Sequence, residues 1–159
     1  MKKLFALVLA VVMLATMSVT VFAADYDTNP GDKETTVIYS VVPTYVVTIP
    51  ADITINGAAD TISAENVVVA KGQYVSVALA AENDFTVTTA EGATLDYTVT
   101  KDGQNIVAGD EILAVNPADG KTGSANIIFD IDESAIIYAG TYEGTATFTI
   151  SVKSVPAND

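Results

Sequence analysis

Apolar and polar residues alternate along most of the chain after residue 35. Between residues 37 and 55 every odd-numbered position is apolar, and threonine, serine or aspartate fills many of the positions between them. Such alternation predicts β-strands with one buried and one solvated face. Pro43 and Pro50 cannot donate to a strand ladder, so they divide the stretch into predicted strands at residues 35–42, 44–49 and 52–55.

The same pattern recurs to the end of the chain, between turns rich in glycine, proline and asparagine. It predicts further strands at residues 66–70, 74–80, 85–89, 95–101, 104–107, 111–115, 125–131 and 139–152. Asp102-Gly103 is a strong two-residue hairpin signal. Only a single helical turn is predicted, at residues 132–135. The chain is therefore predicted to be all-β, an antiparallel sandwich of about eight to ten short strands, with a β-barrel as the alternative.

The first 23 residues have the pattern of a secretory signal peptide. Lys2 and Lys3 precede an apolar run, and small residues surround a predicted cleavage site after Ala23. An uncleaved anchor is the alternative, but the apolar run is shorter than the ~20 residues of a spanning helix. We expect a secreted or cell-surface protein with a flexible arm at residues 24–34, one domain at residues 35–153 and a tail at residues 154–159.

The charge of the chain is strongly negative and limits its partners. The net charge is −13, with 20 acidic residues against 7 basic ones, and loss of Lys2 and Lys3 on cleavage would make it −15. Nucleic acids and anionic membranes are poor partners for such a surface. Cations, or a positively charged surface, remain electrostatically allowed.

The composition argues against most catalytic devices. The chain has no histidine and no cysteine, which excludes a Ser-His-Asp or Cys-His arrangement and ordinary zinc or copper sites. A Ser–Lys pair remains formally available through the lysines Lys71, Lys101 and Lys121. Clustered acids at residues 82–84, 110–111 and 130–133 would serve a glycosidase only as a matched pair, and no pair is singled out. We predict no enzyme and no catalytic residues.

Two stretches resemble ligand sites. Asp130, Asp132 and Glu133 offer oxygen ligands for Ca²⁺ but lack the spacing of an EF-hand, so they are weak calcium candidates, and no other cofactor is predicted. Residues 119–122 (DGKT) imitate the end of a phosphate-binding loop. The glycine that should come five residues before Gly120 is Val115, and a strand rather than a helix is predicted to follow, so we interpret it as an ordinary loop.

Three runs resemble known families. Residues 139–144 (AGTYEG) are similar to the start of the penultimate strand of immunoglobulin-like sandwiches, which implies a tyrosine corner formed by Tyr142. Residues 139–156 resemble the C-terminus of WxL-type cell-surface domains of Gram-positive bacteria, with Phe148-Thr149-Ile150 in place of Trp-x-Leu. Residues 36–51 resemble the opening of small secreted Firmicutes β-sandwich proteins. These resemblances imply an immunoglobulin-like fold and an association with the cell wall.

Three functions are open from the sequence. The first is a non-catalytic, extracellular structural or adhesion module that binds the cell wall or a surface protein. The second is a subunit that self-assembles by strand addition at the edges near Pro43 and Pro50, although those prolines also protect edges against pairing. The third is a carbohydrate-acting enzyme with paired carboxylates. Monomer and homo-oligomer both remain open, as does an isopeptide bond between Lys33 and Asn158.

Added salt is expected to raise the melting temperature. A chain of this charge repels itself when folded, and salt screens that repulsion. Thermal unfolding from low to moderate NaCl measures the effect. A melting temperature that stays flat or falls contradicts it.

Overall fold

The computed structural model describes residues 36–156, which form nine antiparallel strands in two sheets. The strands are β1 (Thr44–Thr48), β2 (Ala59–Val68), β3 (Gln73–Leu79), β4 (Thr86–Thr88), β5 (Thr94–Lys101), β6 (Gln104–Ile106), β7 (Glu111–Val115), β8 (Gly123–Ile131) and β9 (Phe148–Ser154). One 3-10 turn, Glu133–Ala135, follows β8 within the predicted turn at residues 132–135, and Asp132 caps it. The prediction of an all-β antiparallel fold is confirmed.

The larger sheet has the strand order β1-β2-β8-β5-β4. β4 and β6 share one edge of β5, where β4 pairs with residues 94–96 and β6 pairs with residues 99–101. The smaller sheet has the order β7-β3-β9, with β3 in the centre. The core lies between the two sheets and is built from the inward face of each strand. Its fully buried side chains include Ile62, Val77, Leu79, Ile112 and Ile127.

The alternation along β5 shows how the pattern makes the fold. Leu95, Tyr97 and Val99 are buried, and the threonines and aspartate between them are exposed. Burial of one such aliphatic or aromatic side chain contributes about 1.5–3 kcal/mol. The hairpin predicted at Asp102-Gly103 is confirmed, since it joins β5 to β6 with φ values of 52° and 76°. Both lie in the left-handed region that a type I′ turn requires.

Four of the strand predictions need correction. The predicted strands at residues 35–42 and 52–55 are wrong for the described residues, because neither stretch pairs with a neighbour. Residues 59–65 of β2 were not predicted, because they are largely polar, although Ile62 and Ala64 among them are fully buried and β2 lies between β1 and β8. The closing strand begins only at Phe148, because residues 139–147 cross to the other sheet and make a single bridge there, between Thr88 and Glu143.

The strand pairing corresponds to most of an immunoglobulin-like sandwich. The order β1-β2-β8-β5 corresponds to strands A-B-E-D, and the β3–β9 pair corresponds to strands C and F. In the complete fold a strand G pairs with the other edge of F. Within residues 36–156, no strand occupies that position beside β9. The same residues contain no helix long and apolar enough to cross a membrane.

Replacement of Ile127 by alanine is expected to lower the free energy of unfolding by about 2–5 kcal/mol, because the side chain is fully buried in the centre of the larger sheet. Val107→Ala is the matched control, since Val107 is 61% exposed and its truncation leaves no cavity. Urea unfolding of both variants measures the difference. Equal effects of the two substitutions would contradict this description of the core.

Candidate functional site

An apolar cleft of about 800 Å³ opens at one end of the sandwich, between the two sheets. One wall is the irregular stretch of residues 50–55 that follows β1, and the other is formed by residues 138–146 together with Phe148 at the start of β9. The floor consists of core side chains from three strands of the larger sheet, Val87, Leu95, Tyr97, Phe129 and Ile131. Four of these five floor side chains are at most 6% exposed, so the cleft reaches the edge of the buried core.

Two glycines allow the second wall to lie against β4. A Cβ at Gly144 would stand 2.6 Å from the carbonyl oxygen of Thr86, and one at Gly140 would stand 3.0 Å from a methyl carbon of Thr89. Any side chain at position 144 would force the backbone away from β4. At the same place Thr88 and Glu143 exchange two backbone hydrogen bonds, of 2.8 and 3.1 Å. The wall is thus attached to the larger sheet.

Two side chains fix the remainder of this wall. The Asn83 amide donates to the carbonyl of Thr147 at 2.9 Å and accepts from the Thr147 N–H at 2.8 Å, which sets the position from which β9 begins. The Tyr142 hydroxyl donates to the carbonyl of Tyr138, four residues upstream, at 2.9 Å. This is the hydrogen bond expected of a tyrosine corner. It lies just before β9, the strand that corresponds to strand F.

β9 has one open edge, and its inward side chains are poorly covered there. β9 pairs with β3 along its whole length, and the described residues provide no strand on its other side. Val75 of β3 and Val152 of β9 are direct cross-strand partners, yet Val75 is fully buried whereas Val152 is 40% exposed. Phe148 and Ile150 are only partly buried. On that side, residues 36–156 provide neither a backbone partner for β9 nor a cover for its apolar face.

A second unpartnered feature precedes β1. Residues 36–43 (TVIYSVVP), here called the N-terminal segment, form no strand pairing with any described residue. Four of its apolar side chains are largely exposed: Val37 by 88%, Ile38 by 68%, Tyr39 by 89% and Val41 by 63%. Single exposed apolar residues are common on protein surfaces, but a contiguous group marks an interaction site.

On the outer face of the smaller sheet, one carboxylate joins all three strands. Glu111 of β7 accepts hydrogen bonds from Ser76 of β3 at 2.5 Å and Tyr74 of β3 at 3.4 Å, and it pairs with Lys153 of β9 at 3.2 Å. Partial burial acts to raise the pKa of Glu111, but the three hydrogen bonds and the charge of Lys153 outweigh it, so the pKa is lowered. This cluster fixes β9 beside β3.

Sequence reasoning did not find the Glu111 cluster, which is Glu111 with Tyr74, Ser76 and Lys153. It also did not find the Asn83 clamp, which is the pair of hydrogen bonds between Asn83 and Thr147. Tyr74, Ser76 and Lys153 occupy polar positions of two alternating strands, which was the available signal, but the pairing of β3 with β9 was not predictable from it. Ser76 is fully buried, and its hydroxyl is bonded to Glu111, so it is not poised as a nucleophile. Burial, reinforced by the charge of Asp84, raises the pKa of the Tyr97 phenol on the cleft floor.

The three weak calcium candidates have local structural roles. Asp130 accepts from the N–H of Ile131 at 3.0 Å. Asp132 caps the 3-10 turn by accepting from the backbone N–H and hydroxyl of Ser134, and these bonds lower the pKa of its carboxyl. Glu133 lies within that turn. Among residues 36–156 no three acidic side chains come together as a metal site. A calcium site stays a prediction.

The other sequence candidates are dispersed. Asp84 and Asp110 each accept a hydrogen bond from a nearby backbone N–H, of Thr86 and Val107 respectively. The loop before β8 closes on Asn116, whose carbonyl accepts from Asp119 and Gly120, and a strand follows it as expected. Ala23, Lys33 and Asn158 lie outside the described residues, so the predicted signal cleavage and isopeptide bond concern parts of the chain to which the structure does not extend.

No protein-family model, curated protein or solved structure matches this chain. The resemblance to WxL-type domains and to secreted Firmicutes proteins therefore stays a prediction.

Replacement of Glu111 by glutamine is expected to destabilise the fold at neutral pH and to have less effect in acid. A lowered pKa in the folded state stabilises the fold above the ordinary pKa of 4.5, and the stabilisation is lost as the pH falls through the folded value. Unfolding free energies of the two proteins, measured from neutral pH to below pH 4.5, should converge. A difference that does not change with pH would contradict this role.

Proposed function

We propose that the protein is an extracellular, non-catalytic structural subunit that associates with other protein molecules by strand addition. The observation that carries this proposal is the N-terminal segment, in which an extended run of apolar residues is exposed without a partner in the described chain. Such a segment needs hydrogen-bond partners for its backbone and cover for its apolar side chains. Strand addition provides both, because the backbone pairs with an open sheet edge and alternate side chains enter pockets.

The sequence of the segment supports this function. Residues 36–43 carry no charge, although the whole chain has a net charge of −13. A neutral segment approaches an acidic protein without the like-charge repulsion that the remainder of the surface would produce. Val37, Tyr39 and Val41 alternate with the positions between them, so all three lie on one face when the segment is in a sheet.

The energy available is sufficient for a specific interaction. Burial of an aliphatic or aromatic side chain contributes about 1.5–3 kcal/mol, and three or four such side chains are exposed in the segment. Ordering the segment and losing the freedom of two separate molecules offset part of that gain. The net affinity then depends on how well the acceptor surface fits.

The predicted signal peptide supports the extracellular part of the proposal, and the predicted resemblance to WxL-type domains supports a place at the cell surface. Attachment to the cell wall would then be non-covalent or through a partner protein. Culture fractionation tests this part separately. A processed protein that begins near Ala24, in the medium or on the cell surface, is expected. An unprocessed cytoplasmic pool contradicts it.

The assembly itself is tested by introducing a charge into the segment. Tyr39→Asp is expected to weaken self-association of the mature chain by at least about tenfold, which corresponds to ~1.4 kcal/mol, because a carboxylate would be buried at the contact. Sedimentation or light scattering over a wide concentration range measures it.

The control for this experiment is Asn105→Asp. It adds the same charge at an exposed position of β6 that does not line the cleft, so association should remain as in the parent protein. If the parent protein is a monomer at every concentration, self-assembly is rejected. If both variants weaken association equally, net charge rather than the segment controls it.

A further inference from the structure

We propose that the N-terminal segment of one molecule binds as an added strand along the open edge of β9 in a second copy, with its apolar face against the partly exposed side chains of β9 and one end at the entrance of the cleft beside Phe148. This inference rests on the proposed function and assigns its donor, its acceptor and its partner. The acceptor has the two properties that an added strand needs, an unpaired backbone edge on β9 and apolar side chains beside it that are not covered.

The comparison of β3 with β9 locates the acceptor. Both strands belong to the same sheet and direct their apolar residues to the same side, in the register Val75↔Val152, Val77↔Ile150 and Leu79↔Phe148. The β3 members are at most 1% exposed, whereas each β9 member is partly or substantially exposed. Among the strands that the structure describes, β3 has a neighbour on either side and β9 has one on a single side. A strand beside β9 would cover these residues and complete the position of strand G.

The donor matches the acceptor in length and pattern. β9 has seven residues, with inward apolar side chains at alternate positions 148, 150 and 152. The N-terminal segment offers seven residues before Pro43, with apolar side chains at alternate positions 37, 39 and 41. Pro43 ends the stretch that can donate to a ladder. Three apolar residues of the donor would therefore lie alongside three of the acceptor.

Other open edges fit less well. β7 begins with Glu111, whose side chain is already bonded across the sheet, and β6 is only three residues long. The edge of β4 is partly occupied by the Thr88–Glu143 bridge. β1 is bounded by Pro43 and Pro50, which limits pairing at both ends. β9 combines a long open edge with the entrance of the cleft, which Phe148 lines.

A second copy is the occupant because donor and acceptor are separate surfaces of one chain. The segment is exposed and does not lie along its own β9. A contact between two different surfaces of identical molecules is heterologous, so each molecule retains one free donor and one free acceptor. Assembly is then head to tail, and it continues into a filament unless the rotation between molecules closes a ring.

Two complementary variants test this arrangement. Tyr39→Asp removes the donor, and Val152→Asp removes the acceptor at a side chain that is 40% exposed in the single molecule. Each variant alone is expected to be monomeric, whereas an equimolar mixture should form one-to-one heterodimers and nothing larger. A mixture that stays monomeric, or that assembles without limit, overturns the head-to-tail arrangement. Circular dichroism of each variant confirms that it is folded.

Cross-linking identifies the edge that is used, and it does not depend on those variants. The chain has no cysteine, so single cysteines are introduced without background. Ser40→Cys in one copy is mixed with Thr149→Cys on β9, Ala114→Cys on β7 or Lys121→Cys in the loop before β8 of a second, tagged copy. A short bis-maleimide is expected to join Ser40→Cys to Thr149→Cys at least ten times more efficiently than to either control.

The outcomes separate this inference from the proposed function. Assembly with preferred cross-linking to Ala114→Cys, or with equal cross-linking to all three positions, overturns the assigned edge and leaves strand addition in place. A chain that carries both Ser40→Cys and Thr149→Cys and cross-links only within itself at high dilution shows that the segment serves its own molecule, which overturns the second copy as occupant. Absence of any assembly rejects both proposals.

Discussion

The open edge of β9 is the constraint on which this account depends. Buried or half-buried backbone N–H and C=O groups need hydrogen-bond partners, and a strand edge next to an apolar cleft has them only if another strand or water is present. β9 is held firmly by β3, by the Glu111 cluster on the outer face and by the Asn83 clamp at its start. It is therefore a rigid edge, and this is the form of edge that an incoming strand can use.

The surrounding structure explains why the edge stays open. The stretch before β9, which the alternation assigned to the same strand, crosses to the larger sheet at Thr88–Glu143. Gly140 and Gly144 permit that crossing because a Cβ at position 144 would be crowded by β4, and one at position 140 by Thr89, which directly follows β4. The crossing separates this stretch from the smaller sheet and leaves the cleft between it and residues 50–55. The same crossing thus produces both the wall of the cleft and the uncovered start of β9.

How far the sequence could predict this structure depended on whether a signal was local. Asp102-Gly103 specified its hairpin because the turn geometry needs only two residues, and Tyr142 specified its corner because its partner lies four residues upstream. The alternation of residues 36–42 was correctly recognised, but alternation reports which face is apolar and not whether a neighbouring strand exists. The predicted strand is therefore a segment without a strand partner in the described chain.

The candidate site was harder to predict, because it depends on residues far apart in sequence. Asn83 meets Thr147, and Ser76 meets Glu111 and Lys153, only once β3, β7 and β9 are paired. The sequence predicted Asp130 and Asp132 as weak calcium ligands because carboxylates near each other in sequence resemble a set of calcium ligands. Their hydrogen bonds to Ile131 and Ser134 give them a local role that spacing alone does not reveal.

Amide hydrogen exchange of β9 tests the central claim most directly. In the assembled protein the account predicts slow exchange for the β9 N–H groups that are not bonded to β3, together with slow exchange in residues 36–42. In the monomeric Tyr39→Asp variant both sets should exchange rapidly, whereas the core strands β3 and β8 should be equally protected in the two states. Protection on assembly that appears at β1 or β7 while β9 remains unchanged would contradict the account.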